Sequence, residues 1–107
     1  MADLTVNPIE FSVRLLRDGE TYGVRYACAC GCCPQVRLKR DSAAAHEHCC
    51  CGIAHAAGPE ARPHLESYLA ERRANGLDAD RHYLIHEARV TDPWGGPVPV
   101  AYAVPVG

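Results

Sequence analysis

The cysteines of this chain are confined to two short blocks, and this confinement constrains the fold more than any other feature of the sequence. The blocks read Cys28-Ala29-Cys30-Gly31-Cys32-Cys33-Pro34 and His46-Glu47-His48-Cys49-Cys50-Cys51-Gly52, and they hold all seven cysteines among 107 residues. A buried structural cysteine behaves as a small apolar residue and has no reason to cluster with other cysteines. Clustered thiols with interleaved histidines are instead typical of metal binding.

A disulfide framework is a poor explanation for the same residues. The number of cysteines is odd, and adjacent residues such as Cys32 and Cys33 rarely bridge because the ring they would close is strained. The first residues lack the positive segment and apolar run of a secretory signal. We therefore expect a cytoplasmic protein whose thiols stay reduced.

Length and charge restrict the partners. A chain of 107 residues predicts a single domain over residues 1–107. The net charge of −2 provides no basic surface for nucleic acid. Since no apolar run approaches the roughly 20 residues of a membrane span, we expect no membrane partner either. The sequence leaves a protein partner or a homo-oligomer open.

The pattern of apolar residues predicts an α+β domain. Alternation predicts a hairpin of residues 9–15 and 21–28 around Asp18-Gly19, and a short third strand at Val36 and Leu38. A helix is expected over residues 63–75, followed by a second hairpin of residues 83–91 and 98–104. Pro99 lacks a donor N–H, which predicts that the last strand is an edge strand. We expect one antiparallel or mixed sheet, one or two short helices and a Cys/His metal site that staples them.

The second cysteine block is expected on a helix. Ser42 is a good N-cap, Ala43, Ala44 and Ala45 are strong helix formers, and Gly52 is a stop. A helix over residues 43–51 would place His46, Cys49 and Cys50 on one face. The Ala-, Gly- and Pro-rich residues 53–62 are interpreted as a connection.

The predicted metal segment covers residues 28–55, and its two blocks are expected to form one shared site. Its candidate ligands are thiolates and imidazoles, both preferred by zinc: Cys28, Cys30, Cys32, Cys33, His46, His48, Cys49, Cys50 and Cys51. His55 is close enough in sequence to be a ligand or a neighbour of one. Ligand counting accommodates two or three tetrahedral ions, depending on how many sulfurs bridge.

The metal expected in such a site is soft or borderline. Thiolates favour Zn²⁺, Cd²⁺ and Cu⁺, and the histidines favour Zn²⁺ or Cd²⁺ over Cu⁺. The Cys-x-Cys and Cys-Cys spacings of residues 28–51 resemble those of bacterial metallothioneins. This resemblance implies similar ligand chemistry, and with it metal buffering, sequestration or resistance.

Three other interpretations remain open. A purely structural zinc could support an interaction module or accessory protein. An iron–sulfur cluster needs four cysteine ligands, although the ferredoxin spacings are absent. Thiol redox chemistry could use the Cys-x2-Cys-Pro sequence at Cys30 and Cys33, although the context of a redox motif is missing. No nucleophile–base arrangement or phosphate loop is present, and a thiolate-rich site is expected to be closed to substrate, so we do not expect an enzyme.

Overall fold

The computed structural model describes residues 10–28, 30–32, 34–78 and 80–106. Along these residues the order of elements is β1 Phe11–Leu15, β2 Thr21–Tyr26, β3 Gln35–Lys39, β4 Ala45–His48, β5 Ala54–Ala57, α1 Ala61–Ala74, β6 His82–Thr91 and β7 Pro97–Val106. The α+β class is confirmed. No helix in the described ranges has both the length and the apolar character needed to cross a membrane.

The strands form two antiparallel sheets rather than one. The first has the order β1-β2-β3, and the second has the order β4-β5-β7-β6. One face of the second sheet packs against the first sheet through a core of Tyr22, Val24, Val36, Leu38, Ala57, Val98 and Val100. Its other face packs against α1. The domain is thus built in three layers, with the second sheet in the middle.

The predicted first hairpin is confirmed. The Asp18 carboxylate accepts hydrogen bonds from the Thr21 backbone N–H at 2.9 Å and from the Thr21 hydroxyl at 2.6 Å. These bonds fix the turn between β1 and β2, whose residues pair from Phe11↔Tyr26 to Leu15↔Tyr22. The register matters for the site because β2 ends at Tyr26, two residues before Cys28.

Strand β5 lies in the segment that the sequence presents as a connection, so that interpretation was wrong. Alanine has a low strand propensity, and three of the four β5 residues are alanines. The structure shows why they are small: Ala54, Ala56, Ala101 and Ala103 form the surface on which α1 rests. Methyl groups let the helix approach closely, and Leu65 fills the contact with no exposed surface.

The predicted helix over residues 43–51 was also wrong. Residues 45–48 form β4, which pairs with β5 from Ala45↔Ala57 to His48↔Ala54. Ser42 does not cap a helix; its hydroxyl accepts a hydrogen bond from the Lys39 N–H at 3.1 Å. Pairing along β5 therefore overrides the helix propensity of the alanines. The predicted helix at residues 63–75 is confirmed as α1, with Pro63 as its third residue.

Strand β7 is an interior strand, which corrects the prediction from Pro99. β7 pairs with β6 along its whole length and with β5 from Val100 to Ala103. The Pro99 carbonyl accepts a hydrogen bond from the Gly58 N–H at 3.0 Å, and Gly58 follows the end of β5. The N and C=O of a strand residue face the same side, so the position of the missing Pro99 N–H faces Gly58. Because Gly58 lies beyond the last residue of β5, no hydrogen bond within β5 is lost.

Candidate metal centre

Four cysteine sulfurs from the two blocks converge at one end of the domain. The Sγ atoms of Cys28, Cys30, Cys32 and Cys49 all lie within 4.8 Å of one another. Cys49 is the central member, since its sulfur lies 2.8 Å from that of Cys28 and 2.8 Å from that of Cys32. The expected convergence of the two blocks is thus seen in the geometry. We refer to these four sulfurs as the four-sulfur group; they are close enough together to hold a metal ion.

Two more sulfurs adjoin this group. Cys51 Sγ lies 3.2 Å from that of Cys28 and 3.1 Å from that of Cys49. Cys50 Sγ lies 3.3 Å from that of Cys30. Cys33, which the sequence also predicts as a ligand, lies outside the described residues. We refer to the six described cysteines, 28, 30, 32, 49, 50 and 51, as the sulfur cluster.

The first block is held at the exit of β2. Cys28 follows this strand closely, and its carbonyl accepts a hydrogen bond from the Gly31 N–H at 2.9 Å. Gly31 has a φ of 84°, a value that residues with a Cβ rarely adopt. The chain therefore reverses immediately after Cys28, which directs Cys30 and Cys32 back toward the same point.

The second block is the turn of the β4–β5 hairpin. The Cys49 N–H donates to the Ile53 carbonyl at 2.7 Å, and the Gly52 N–H donates to the Cys49 carbonyl at 3.0 Å. With a φ of 98° at Gly52, this is a three-residue hairpin loop that ends in a bulge. The turn lets consecutive cysteines share one centre, which regular structure would prevent. The Cys51 N–H also points at Cys49 Sγ, at 3.4 Å.

An aromatic wall closes the inner side of the sulfur cluster. Tyr26 is completely buried, and its hydroxyl donates to the Ile53 carbonyl at 2.8 Å, beside the cysteine turn. Tyr26 and Tyr102 pack with the buried side chain of Cys49. Burial, followed by the charge of Cys49, raises the pKa of Tyr26, so this hydroxyl stays protonated. The remaining cysteines of the cluster lie at the surface or near it.

The pKa of Cys28 and of Cys30 is lowered from the usual thiol value, whereas the pKa of each other cysteine in the sulfur cluster is raised. Hydrogen bonding from Cys28, and then from the Cys32 N–H, lowers the pKa of Cys30 to about 5. Burial raises the pKa of Cys49 to about 12, and hydrogen bonding with Cys49 raises that of Cys32 to about 12. Like charges this close oppose each other. A bound cation removes that opposition, so metal binding would be accompanied by proton release.

The rings of His46 and His48 meet α1, and His48 also lines a surface depression together with Cys49 and Cys50. Because β4 is a strand, its alternate residues share one face, and this face is covered by α1. The His46 Nδ1 lies 2.9 Å from the His64 Nε2, and the His48 Nδ1 lies 2.7 Å from the Tyr68 hydroxyl. Burial is the main reason why the pKa of each β4 histidine is lowered. The four-sulfur group includes neither, and their role as ligands of that group stays a prediction.

His55 is a core residue between the two sheets. It is completely buried, and its Nε2 lies 3.3 Å from the Val24 carbonyl. Its ring stands edge-on to that of Tyr26 with centroids 4.4 Å apart, and its Nδ1 has no hydrogen-bond partner. Burial lowers the pKa of His55 to about 4, so the ring is neutral at physiological pH.

The contribution of α1 was not predicted from the sequence. His64 and Tyr68 are four residues apart and therefore share one helical face, which meets His46 and His48. The i, i+4 spacing was visible in the sequence, but the partner strand was expected to be a helix.

No family model matches the chain, and neither a curated protein nor a solved structure is found to be similar to it.

The sulfur–sulfur distances are slightly shorter than those expected around a bound metal ion. Zinc–thiolate bonds of about 2.3 Å in a tetrahedron separate the sulfurs by about 3.8 Å. The contacts in the cluster range from 2.8 to 3.3 Å. An ion would therefore move the sulfurs apart by about 0.5 to 1 Å. The other described cysteines lie at the surface or near it and can make this movement, whereas Cys49 is held in the core beside Tyr26 and Tyr102.

Proposed function

We propose that this protein binds soft divalent metal ions, Zn²⁺ or Cd²⁺, in a thiolate cluster and thereby buffers or sequesters them in the cytoplasm. The observation that carries the proposal is the convergence of Cys28, Cys30, Cys32 and Cys49 from two separate turns. A lone buried cysteine needs no partner, whereas four thiolates at one point repel one another unless a cation compensates their charge.

The arrangement of sulfurs favours two ions that share ligands. Two tetrahedral ions need eight bonds, and six thiolates supply eight when two of them bridge. Cys28 and Cys49 are suited to bridge, because each contacts Cys51 as well as the four-sulfur group. In this proposal one ion takes the four-sulfur group and the second takes the bridging pair with Cys51. Cys50, whose sulfur now contacts that of Cys30, would turn toward the second ion to supply its fourth ligand.

The thiolate donors also support a soft metal as the ligand, and a role in binding rather than in catalysis. Thiolate sulfur prefers Zn²⁺, Cd²⁺ and Cu⁺ over hard ions. Four thiolates complete a tetrahedron, which leaves no open position for the water of a catalytic zinc. We therefore propose a binding protein rather than an enzyme.

Elemental analysis of protein purified without oxygen tests the proposal. We expect about two equivalents of zinc or cadmium per chain and an ultraviolet thiolate–metal charge-transfer band during titration of metal-free protein. Less than one equivalent in fully reduced protein would overturn it. Iron found together with acid-labile sulfide would instead support an iron–sulfur protein.

A structural role for the same metal is the second candidate, and one observation favours it. Cys28 follows a strand of the first sheet, and Cys49 follows a strand of the second. An ion between them would cross-link the sheets and support a protein that acts through its surface. Hydrogen exchange after chelation separates the two functions. If the ion is structural, its removal should lower the protection of the backbone amides of β1–β3 against exchange. If the ion is cargo, its removal should lower only the protection of the two cysteine turns.

A further inference from the structure

Two histidine rings meet between β4 and α1, apart from the sulfur cluster. His46 Nδ1 and His64 Nε2 are 2.9 Å apart, although 18 residues separate them in sequence. The ring centroids are 5.1 Å apart, and the rings are tilted by 43°. In a pair of neutral imidazoles only one of these two nitrogens carries the shared proton, so the other directs a lone pair at it.

This spacing is close to that of two imidazoles on one ion. Zinc–nitrogen bonds of about 2.0–2.1 Å at a tetrahedral angle separate the two nitrogens by about 3.3 Å. The rings would therefore move apart by about 0.4 Å and turn slightly toward a common point. An ion would take the position that the shared proton now occupies.

The imidazoles are held in place by their surroundings. The Tyr68 ring lies 4.0 Å from that of His46, centroid to centroid, and the Tyr68 hydroxyl binds His48. Tyr68 is one helical turn after His64. The same face of α1 therefore supplies the imidazole of His64 and the ring that packs against His46. His46 and His64 are only partly buried, which leaves them accessible to an aqueous ion.

A surface depression beside His64 provides room for further ligands. It encloses about 330 Å³, and Glu60 and Ser67 are among the residues that line it. Water molecules in this space could complete the coordination of an ion. The carboxylate of Glu60 adds negative charge to this depression.

From these contacts we infer that His46 and His64 form a second metal site, which takes a borderline first-row dication such as Ni²⁺, Co²⁺, Cu²⁺ or Zn²⁺. Imidazole nitrogen favours these ions, whereas thiolate sulfur favours the softer Cd²⁺. The second site is therefore chemically distinct from the sulfur cluster. It does not depend on the proposed function, because none of its donors is a cysteine.

Nickel titration of cadmium-saturated protein tests the inference. Cadmium occupies the thiolates first, and Ni²⁺ is then added while the imidazole ring signals are followed by NMR. We expect one additional Ni²⁺ per chain and selective broadening of the His46 and His64 signals. His64→Gln should weaken Ni²⁺ binding about tenfold or more. His86→Gln is the matched control, because His86 is an exposed histidine of β6 that stacks on Tyr102.

Two results would overturn the second site: unchanged Ni²⁺ affinity in His64→Gln, or broadening at other histidines only. The circular dichroism spectrum of the variant must match that of the parent protein, and His46→Gln provides a second variant if it does not. A failure of cadmium to bind would count against the thiolate proposal alone, since the histidine signals report on nickel independently.

Discussion

The sulfur of Cys28 lies 2.8 Å from the sulfur of Cys49, and the two residues follow strands of different sheets, β2 and β4. Each is reached directly from a strand end, with a tight turn on its far side. The site is thus built where the two sheets come together, and the loop between its two halves contains β3 and β4.

Cys49 should be the most important cysteine of the cluster. Its sulfur contacts those of Cys28, Cys30, Cys32 and Cys51. We expect Cys49→Ser to reduce cadmium binding to at most one weakly held ion, because a bridging ligand is lost. Cys50→Ser should keep one ion of nearly unchanged affinity, because the four-sulfur group remains. Titration against a competing chelator measures both, and equal losses in the two variants would contradict the central place of Cys49.

The thiols of the metal-free protein should differ in reactivity. The pKa of Cys30 is lowered to about 5, so its thiolate dominates above that pH, whereas the pKa of Cys32 is raised to about 12. At pH 6.5 iodoacetamide should alkylate Cys30 first, since the thiolate is the reactive form. Mass spectrometry of quenched samples identifies the modified residue. Both residues are exposed, so faster alkylation of Cys32 would show that the order of the pKa values is wrong.

Acid should destabilise the protein through His55. Its pKa falls from 6.5 in the unfolded chain to about 4 in the folded one. Between these values the unfolded chain binds more protons, so stability is lost as the pH falls through this window. The contribution lost between pH 7 and pH 5 is about 2 kcal/mol.

Replacement of the buried imidazole provides the test of this pH dependence. Urea unfolding of reduced, metal-free protein at the two pH values should show a smaller loss in His55→Leu. The exposed His86→Gln variant should retain the full loss of the parent protein. An identical pH dependence in His55→Leu and the parent would assign the acid sensitivity to other groups.

The hydroxyl of Tyr26 should support the cysteine turn. It donates to the Ile53 carbonyl at 2.8 Å, and Tyr26→Phe removes this bond while it keeps the ring. We expect a loss of about 1–2 kcal/mol in the free energy of unfolding, since a part-buried carbonyl is left without its donor. Hydrogen exchange of the Cys49 amide should become faster. Unchanged exchange together with unchanged stability would show that this bond has no structural role.

Gly52 should be required for the geometry of the second block. An alanine there keeps an unfavourable φ of 98°, and its Cβ would lie 2.8 Å from Arg81 Nη1. Gly19 is a matched control, with a φ of 78° and no atom within 4 Å of a Cβ. Both substitutions should cost about 1 kcal/mol of stability. Only Gly52→Ala should also weaken cadmium binding, and equal cadmium affinities in the two variants would contradict this role.

Most of the outer frame could be predicted from the sequence, because its signals are local. The Asp18-Gly19 turn, the helix before Asn75 and the last hairpin each follow from residues near one another. Strands β4 and β5 could not be predicted, because their stability comes from neighbours distant in sequence. Ala43, Ala44 and Ala45 favour a helix in isolation, and only pairing with β5, which itself pairs with β7, places β4 in a sheet.

The convergence of the cysteines was predictable, whereas the direction of the histidines was not. Seven thiols in two blocks imply a common centre whatever structure carries them. The direction of His46 and His48 depends on whether the segment has a period of 3.6 or 2 residues. A strand turns both rings toward α1, where His64 and Tyr68 meet them.

The alanines between sheet and helix have a consequence for metal selectivity. Ala56 pairs with His46 across the strands, and it belongs to the small-residue surface on which α1 rests. At the proposed second metal site, the size of this side chain would therefore set how closely His64 of α1 approaches His46 of β4. A bulkier residue at position 56 would move the helix outward and weaken binding of first-row dications by the two imidazoles, so that the protein would keep only the soft-metal preference of the sulfur cluster.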